Sequence, residues 1–133
     1  LNSFIIKDAK KNKTIIFFNK IKNKKITILK KNKVQLIRTE INQFEKFNLV
    51  DILRKIKNMG YSRIMVEAGV ELTNNFMREN LINELYLFVS KNKIYKDGVN
   101  SFKKNITKFL RNKKCINEKV YLMGDKFFTY YIK

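Results

Sequence analysis

The sequence predicts an α/β domain with a mainly parallel sheet and an antiparallel hairpin at its C-terminal end. Three observations carry that expectation. Short apolar runs rich in β-branched and aromatic residues alternate with helical patterns along the 133 residues, the order of strand–helix–strand units. The closing stretch "EKVYLMGDKFFTYYIK" sets two strand-like runs on either side of Gly124-Asp125, which is a hairpin signal. The apolar runs are also too short and too β-branched for an all-helical basic protein.

Taken in order, "TIIFF" at 14–18 is apolar without alternation and reads as a strand buried on both faces. "KIKNKKITILKKNK" at 20–33 stays open between a short helix and a strand, with Ile21, Lys24, Lys25, Ile28 and Leu29 on one helical face. "VQLIR" at 34–38 reads as a strand. "NLVDILRKIKNMG" is the clearest helix: Leu49, Ile52, Leu53 and Ile56 fall at i, i+3, i+4 and i+7, Asn48 can cap its start, and Gly60 can close its end. "RIMVE" at 63–67 returns to strand. "VELTNNFMREN" follows as a helix with Leu72 and Phe76 turned inward, and "NELYLFVSK" as a further buried strand. A loop-like region with Asp97, Gly98 and Asn100 precedes the hairpin. There is no internal repeat and no Pro/Gly/Ser linker, so residues 1–133 read as one domain.

Composition narrows the function classes. A net charge of +19 would ordinarily suggest nucleic acid or an anionic membrane. Yet Arg, which forks best onto phosphates, supplies five of the 30 basic residues, and no arm or stripe collects the charge. The Lys-, Asn-, Ile- and Phe-rich usage, without Pro, His or Trp, carries the imprint of an A+T-rich coding sequence. Nucleic acid is therefore not the expected partner. With one cysteine and no histidine, an internal disulfide and a Cys/His zinc site are both excluded. No apolar run approaches the ~20 residues of a membrane helix, and the N-terminal stretch lacks the order of a signal peptide. A reducing cytoplasm is the expected setting.

The stretch that draws attention is "RIMVEAGVELTNNFMREN", an apolar run ending in an acid and passing through Ala-Gly straight into a helix. At the carboxyl end of a parallel strand, Gly69 lets the backbone approach a ligand, and the N–H groups from Val70 to Thr73 can hold a phosphate. Junctions of this kind are common and most simply close a turn.

The longer string "RIMVEAGVELTNNFMRENLINELYLFVSKNKIYKDG" resembles the reductase domain of the riboflavin-biosynthesis bifunctional deaminase/reductase family, which has a dihydrofolate-reductase-like fold. That family shows Val-Glu-Gly-Gly-Pro-x-Leu, a helix, then Val-Asp-Glu-Leu leading a strand that ends near a Gly; the counterparts here are "VEAGVEL", "INELYLFVS" and "KDG". "SFIIKDAKKNKTIIFF" is similar to the segment entering the family's central strand, and "VYLMGDKFFTYYIK" to its closing hairpin. The family places a zinc-dependent deaminase and further reductase strands ahead of this region, and the chain begins with Leu1 rather than Met. The expectation is thus the later part of a reductase domain.

The resemblance implies reduction by NADPH of the ribosyl group of 5-amino-6-(5-phosphoribosylamino)uracil. By position it makes Glu67 a substrate contact. It places Gly69, Val70, Glu71, Leu72 and Thr73 at the cofactor diphosphate, with Asn74 and Asn75 beside them, and Asn19 on the adenosine side. It names no metal and no catalytic residue within this stretch, and it leaves room for a homodimer. Two departures matter: Ala68 stands where the family has Gly, and Glu71 puts an acid in the helix's first turn. Two other readings stay open: a basic RNA-associated protein, with Phe and Tyr alternating with Lys on an exposed face, and a catalytically inactive reductase-like partner domain.

Overall fold

The structure, a computed structural model, describes residues 3–42, 45–92, 101–118, 120 and 123–133, with the backbone alone at 101–105 and 118. The chain forms two compact units, Leu1–Met65 and Val66–Lys133.

The first unit contains α1 (Phe4–Asp8), β1 (Ile15–Phe18), α2 (Asn23–Lys31), β2 (Gln35–Arg38) and α3 (Leu49–Asn58). β1 and β2 run parallel, from Ile15 opposite Gln35 to Phe18 opposite Arg38. Parallel strands need a crossover, and the segment that read equally as helix or strand supplies it as α2. Helix wins because it turns Leu29 into the core, where Ile6, Ala9, Leu29 and Val34 are buried with Ile16, Ile21 and Leu36 against them. Burial of each large aliphatic side chain is worth roughly 1.5–3 kcal/mol. β1 itself is half-buried, not buried on both faces, because among the described residues β2 is its one ladder partner.

The ends of α2 and α3 follow one pattern. After α2, Lys33 takes φ 62°, its N–H donates to the Lys30 carbonyl (2.9 Å), and the Val34 N–H donates to the Leu29 carbonyl (3.1 Å). After α3, Gly60 takes φ 93°, with its N–H on the Lys57 carbonyl (2.9 Å) and the Tyr61 N–H on the Ile56 carbonyl (3.4 Å). These are Schellman closures, in which a left-handed residue lets the chain turn back on the last carbonyls. The start of α3 is capped as its sequence predicts: the Asn48 side chain accepts from the Asp51 N–H at 3.1 Å.

One polar cluster ties the strand ends to α3. Thr39, 1% exposed, donates its hydroxyl to Asp51 Oδ2 at 2.7 Å. Lys55 Nζ donates to the same oxygen (2.6 Å) and to the Arg38 carbonyl (3.1 Å). These hydrogen bonds, from Lys55 first and then Thr39, hold the Asp51 carboxyl below its ordinary value of 3.8.

The second unit contains α4 (Val70–Arg78), β3 (Glu84–Val89), α5 (Ser101–Leu110), β4 (Lys114–Glu118) and β5 (Lys126–Tyr131). Its sheet is antiparallel, in the order β3-β5-β4. Glu84 lies opposite Tyr131 and Val89 opposite Lys126, while Lys114 also lies opposite Tyr131 across the hairpin. α4 packs against α5. Its C-terminal stop repeats the first unit's pattern, with Asn80 at φ 53° and the Leu81 N–H on the Phe76 carbonyl at 3.0 Å.

Several expectations are corrected. The sheet is not mainly parallel: one parallel pair and an antiparallel trio replace it, because the described strands of the two units share no ladder. "RIMVE" at 63–67 forms no strand; residues 61–69 lie outside helix and ladder, with Ile64, Met65 and Val66 exposed. Leu72 is 40% exposed, and Met77 fills the buried position of α4 instead. β3 is half open, with Tyr86 and Phe88 exposed. The loop residues Asp97, Gly98 and Asn100, and with them "KDG", lie outside the described residues. Cys115 is a free, exposed thiol on β4.

A side chain in the left-handed region crowds its own carbonyl, so Lys33→Gly is expected to raise stability in urea by about 0.5–1 kcal/mol, and Gly60→Ala to lower it by at least as much. Equal midpoints would remove the closure argument. Asp51 gives a pH signature. Its folded carboxyl stays ionised while the unfolded one takes up a proton, so its stabilisation is present above about pH 4 and is lost as pH falls through the lowered folded value. Asp51→Asn should flatten that acid limb in a series of urea midpoints from pH 6 to pH 2.

Candidate functional site

The candidate site is the bend that carries the chain into α4. Gly69 occupies the N-cap with φ −69° and ψ 173°, ordinary extended backbone, and no side chain caps the helix. The first intrahelical bond runs from the Thr73 N–H to the Gly69 carbonyl at 3.1 Å, so the N–H groups of Val70, Glu71 and Leu72 lie ahead of the ladder. A Cβ built on Gly69 would meet no heavy atom within 4 Å. The bend therefore combines helix-end donors with open space, the two things a diphosphate requires.

Around this bend the predicted residues fall in distinct settings. Glu67 is exposed, three residues before the helix. Val70, Thr73, Asn74 and Asn75 are half-buried, whereas Glu71 and Leu72 are exposed. The Thr73 hydroxyl donates to the Gly69 carbonyl at 3.1 Å, so its proton is committed to the backbone and its oxygen remains an acceptor. Glu71 favours the positive end of the helix dipole and opposes an anion at the same place. Ala68 does not take a positive φ, so the Gly-to-Ala departure costs nothing in backbone strain.

Asn19 belongs to the first unit, one residue beyond β1. Its amide Nδ2 donates to the Thr39 carbonyl at 3.1 Å. The side chain is half-buried, and that bond fixes its orientation at the carboxyl end of the parallel pair, where sheet ligands gather.

The RibD C-terminal domain family matches residues 2–90, from ahead of α1 to the end of β3. The chain belongs to that family. It is also similar to riboflavin biosynthesis protein RibD of Buchnera aphidicola subsp. Baizongia pistaciae (strain Bp), 31% identical over 49 residues. The aligned stretch makes up 37% of this chain and 13% of that relative. The family's matched span includes Asn19 and every residue of the bend into α4.

The sequence reading missed α5, which packs behind α4 in this RibD-family chain. Its spacing was legible: Phe102, Ile106, Phe109 and Leu110 repeat at i, i+4, i+7 and i+8, and Ile106 is 7% exposed. Among the described residues no group of three His, Cys, Asp or Glu side chains converges on a metal position, and no helix is long and apolar enough to cross a membrane.

Because Gly69 sits in a conformation open to any residue, Gly69→Ala is expected to change stability by less than about 1 kcal/mol. The reduced freedom of the unfolded chain offsets the poorer cap. A thermal melt showing a large loss would mean that the bend is closed in solution.

Proposed function

We propose that this chain carries out NADPH-dependent reduction of the ribosyl group of 5-amino-6-(5-phosphoribosylamino)uracil, the reductase step of riboflavin biosynthesis. The reading rests on family membership, and the observation that carries it is the uncapped start of α4 behind an open Gly69. The two units are read as parts of one reductase-type domain with a dihydrofolate-reductase-like fold, working in the cytoplasm.

NADPH supplies the hydride when bound; the protein's part is position and electrostatics. The N–H groups of Val70, Glu71 and Leu72 take the diphosphate in place of a capping side chain, with Thr73, Asn74 and Asn75 along the same first turns of the helix. Glu71 stays turned to solvent, because its carboxylate would otherwise repel the anion it sits beside. Glu67 accepts hydrogen bonds from the substrate's ribose hydroxyls. Asn19, its amide already engaged by the Thr39 carbonyl, offers its oxygen to a donor on the adenosine side.

A capping carboxylate and a diphosphate compete for the same amides. Gly69→Asp should therefore keep or raise the thermal stability of the free protein by a few tenths of a kcal/mol while abolishing the response to NADPH. NADPH at a hundredfold excess over its Kd should stabilise the native chain by about 2.7 kcal/mol in a thermal-shift titration. A native chain that does not respond, or a Gly69→Asp chain that responds as well as the native one, would refute this site.

A further inference from the structure

We propose that Asp51 is a positioning residue for nucleotide recognition at the carboxyl end of the parallel pair: acting through the buried Thr39 hydroxyl, it holds the Asn19 amide with its oxygen left to accept, so that the chain selects a base carrying an amino donor. The inference rests on the NADPH reading above and adds three residues, Thr39, Asp51 and Lys55, that this reading does not use as groups of its own.

Thr39 stands one residue beyond β2 and is fixed from three sides. Its N–H donates to the Phe18 carbonyl at 2.8 Å, its hydroxyl donates to Asp51 Oδ2 at 2.7 Å, and its carbonyl accepts from Asn19 Nδ2 at 3.1 Å. At 1% exposure its hydroxyl depends on Asp51 rather than on solvent. Asp51 is itself held on α3. Lys55 Nζ donates to the same carboxylate oxygen at 2.6 Å and to the Arg38 carbonyl at 3.1 Å, so one lysine ties the acid to the end of β2. A carboxylate on the helix thereby reaches the peptide that orients a side chain just past β1.

The direction of the Asn19 amide follows from these contacts. A backbone carbonyl only accepts, so the amide nitrogen has to face Thr39, and a flipped amide would set two oxygens together. Among the described residues no donor reaches the Asn19 oxygen. A ligand therefore meets a fixed acceptor. A ribose hydroxyl turns to suit either end of an amide, so a fixed orientation matters only against a group that cannot rotate. The exocyclic amino group of adenine lies in the ring plane and donates. The carbonyl oxygen that replaces it in hypoxanthine accepts, and is repelled by another acceptor. Without Asp51 the buried hydroxyl has no acceptor and turns toward another carbonyl, carrying the Thr39 peptide with it. The Asn19 amide then takes both directions, and the preference is lost.

Two measurements on the 133-residue chain test this, with circular dichroism confirming that each variant stays folded. The first compares affinities for NADPH and for its hypoxanthine analogue by fluorescence titration. The native chain is expected to prefer NADPH about tenfold, the worth of one hydrogen bond. Asp51→Ala and Thr39→Val should each reduce that preference to within about twofold, and the two together should do no more, because they break the same chain of contacts. Thr39→Ser keeps the hydroxyl and should retain the preference. A loss of stability alone would weaken both nucleotides alike and leave their ratio unchanged. The second measurement needs no ligand. In the NMR spectrum of the free protein the hydrogen-bonded Asn19 amide proton should lie downfield of ordinary side-chain amides, and return to their range in Asp51→Ala but not in Thr39→Ser. A native chain that binds both nucleotides equally, or an Asp51→Ala chain that keeps either the preference or the shifted proton, would overturn the proposal while leaving NADPH binding intact. A native chain that binds neither nucleotide would remove the reading beneath the proposal, and the proposal with it.

Discussion

A strand exists only where a neighbour takes up its backbone hydrogen bonds, and that requirement organises this chain more than any side-chain contact does. "TIIFF" is a strand because "QLIR" lies beside it, and "ELYLFV" because "KFFTYY" does. "RIMVE" has the same apolar character, yet no described residue takes up its ladder positions, and Ile64, Met65 and Val66 stay exposed. Propensity alone does not hold a strand together, since it reflects fit to a half-buried pleated surface. The bend at 67–69 inherits its openness from this. With no ladder before it, no heavy atom lies within 4 Å of where a Cβ on Gly69 would stand.

Helices obey the opposite economy, because their hydrogen bonds close within the segment and their termini are local events. That is why α3 and α4 were legible in the sequence almost to the residue. Asn48 and Gly60 bracket α3 with a cap and a left-handed stop, and Asn80 does for α4 what Gly60 does for α3. α2 was half-legible: the lysines on its apolar face blurred the period, and the need for a crossover between parallel strands decided the matter. α5 was missed although its period was clean, since the charged and turn-like residues just ahead of it suggested a loop.

The faces of the strands were the least legible feature. A period of two says that alternate residues share a face, and says nothing of which face will be covered. "LYLFV" and "KFFTYY" look like interior strands because both parities are apolar. The structure shows that one parity, Leu85, Leu87, Phe128 and Tyr130, is half-buried, while Tyr86 and Phe88 on the other stay open. In the same way Leu72 was assigned inward from its helical spacing, and the neighbouring Phe76 and Met77 took the inner position. For the bend into α4, sequence was a better guide, because residue type and order around Gly69 determine an N-terminal turn without reference to the rest of the fold.

The net charge of +19 bears on the bend, and its range decides how. At physiological ionic strength the Debye length is about 8 Å, so lysines scattered over the surface raise solubility without directing any ligand from afar. What counts is the charge within a few ångströms. In the first turn of α4 that is Glu71, which opposes a diphosphate, so the backbone amides there have to outweigh it.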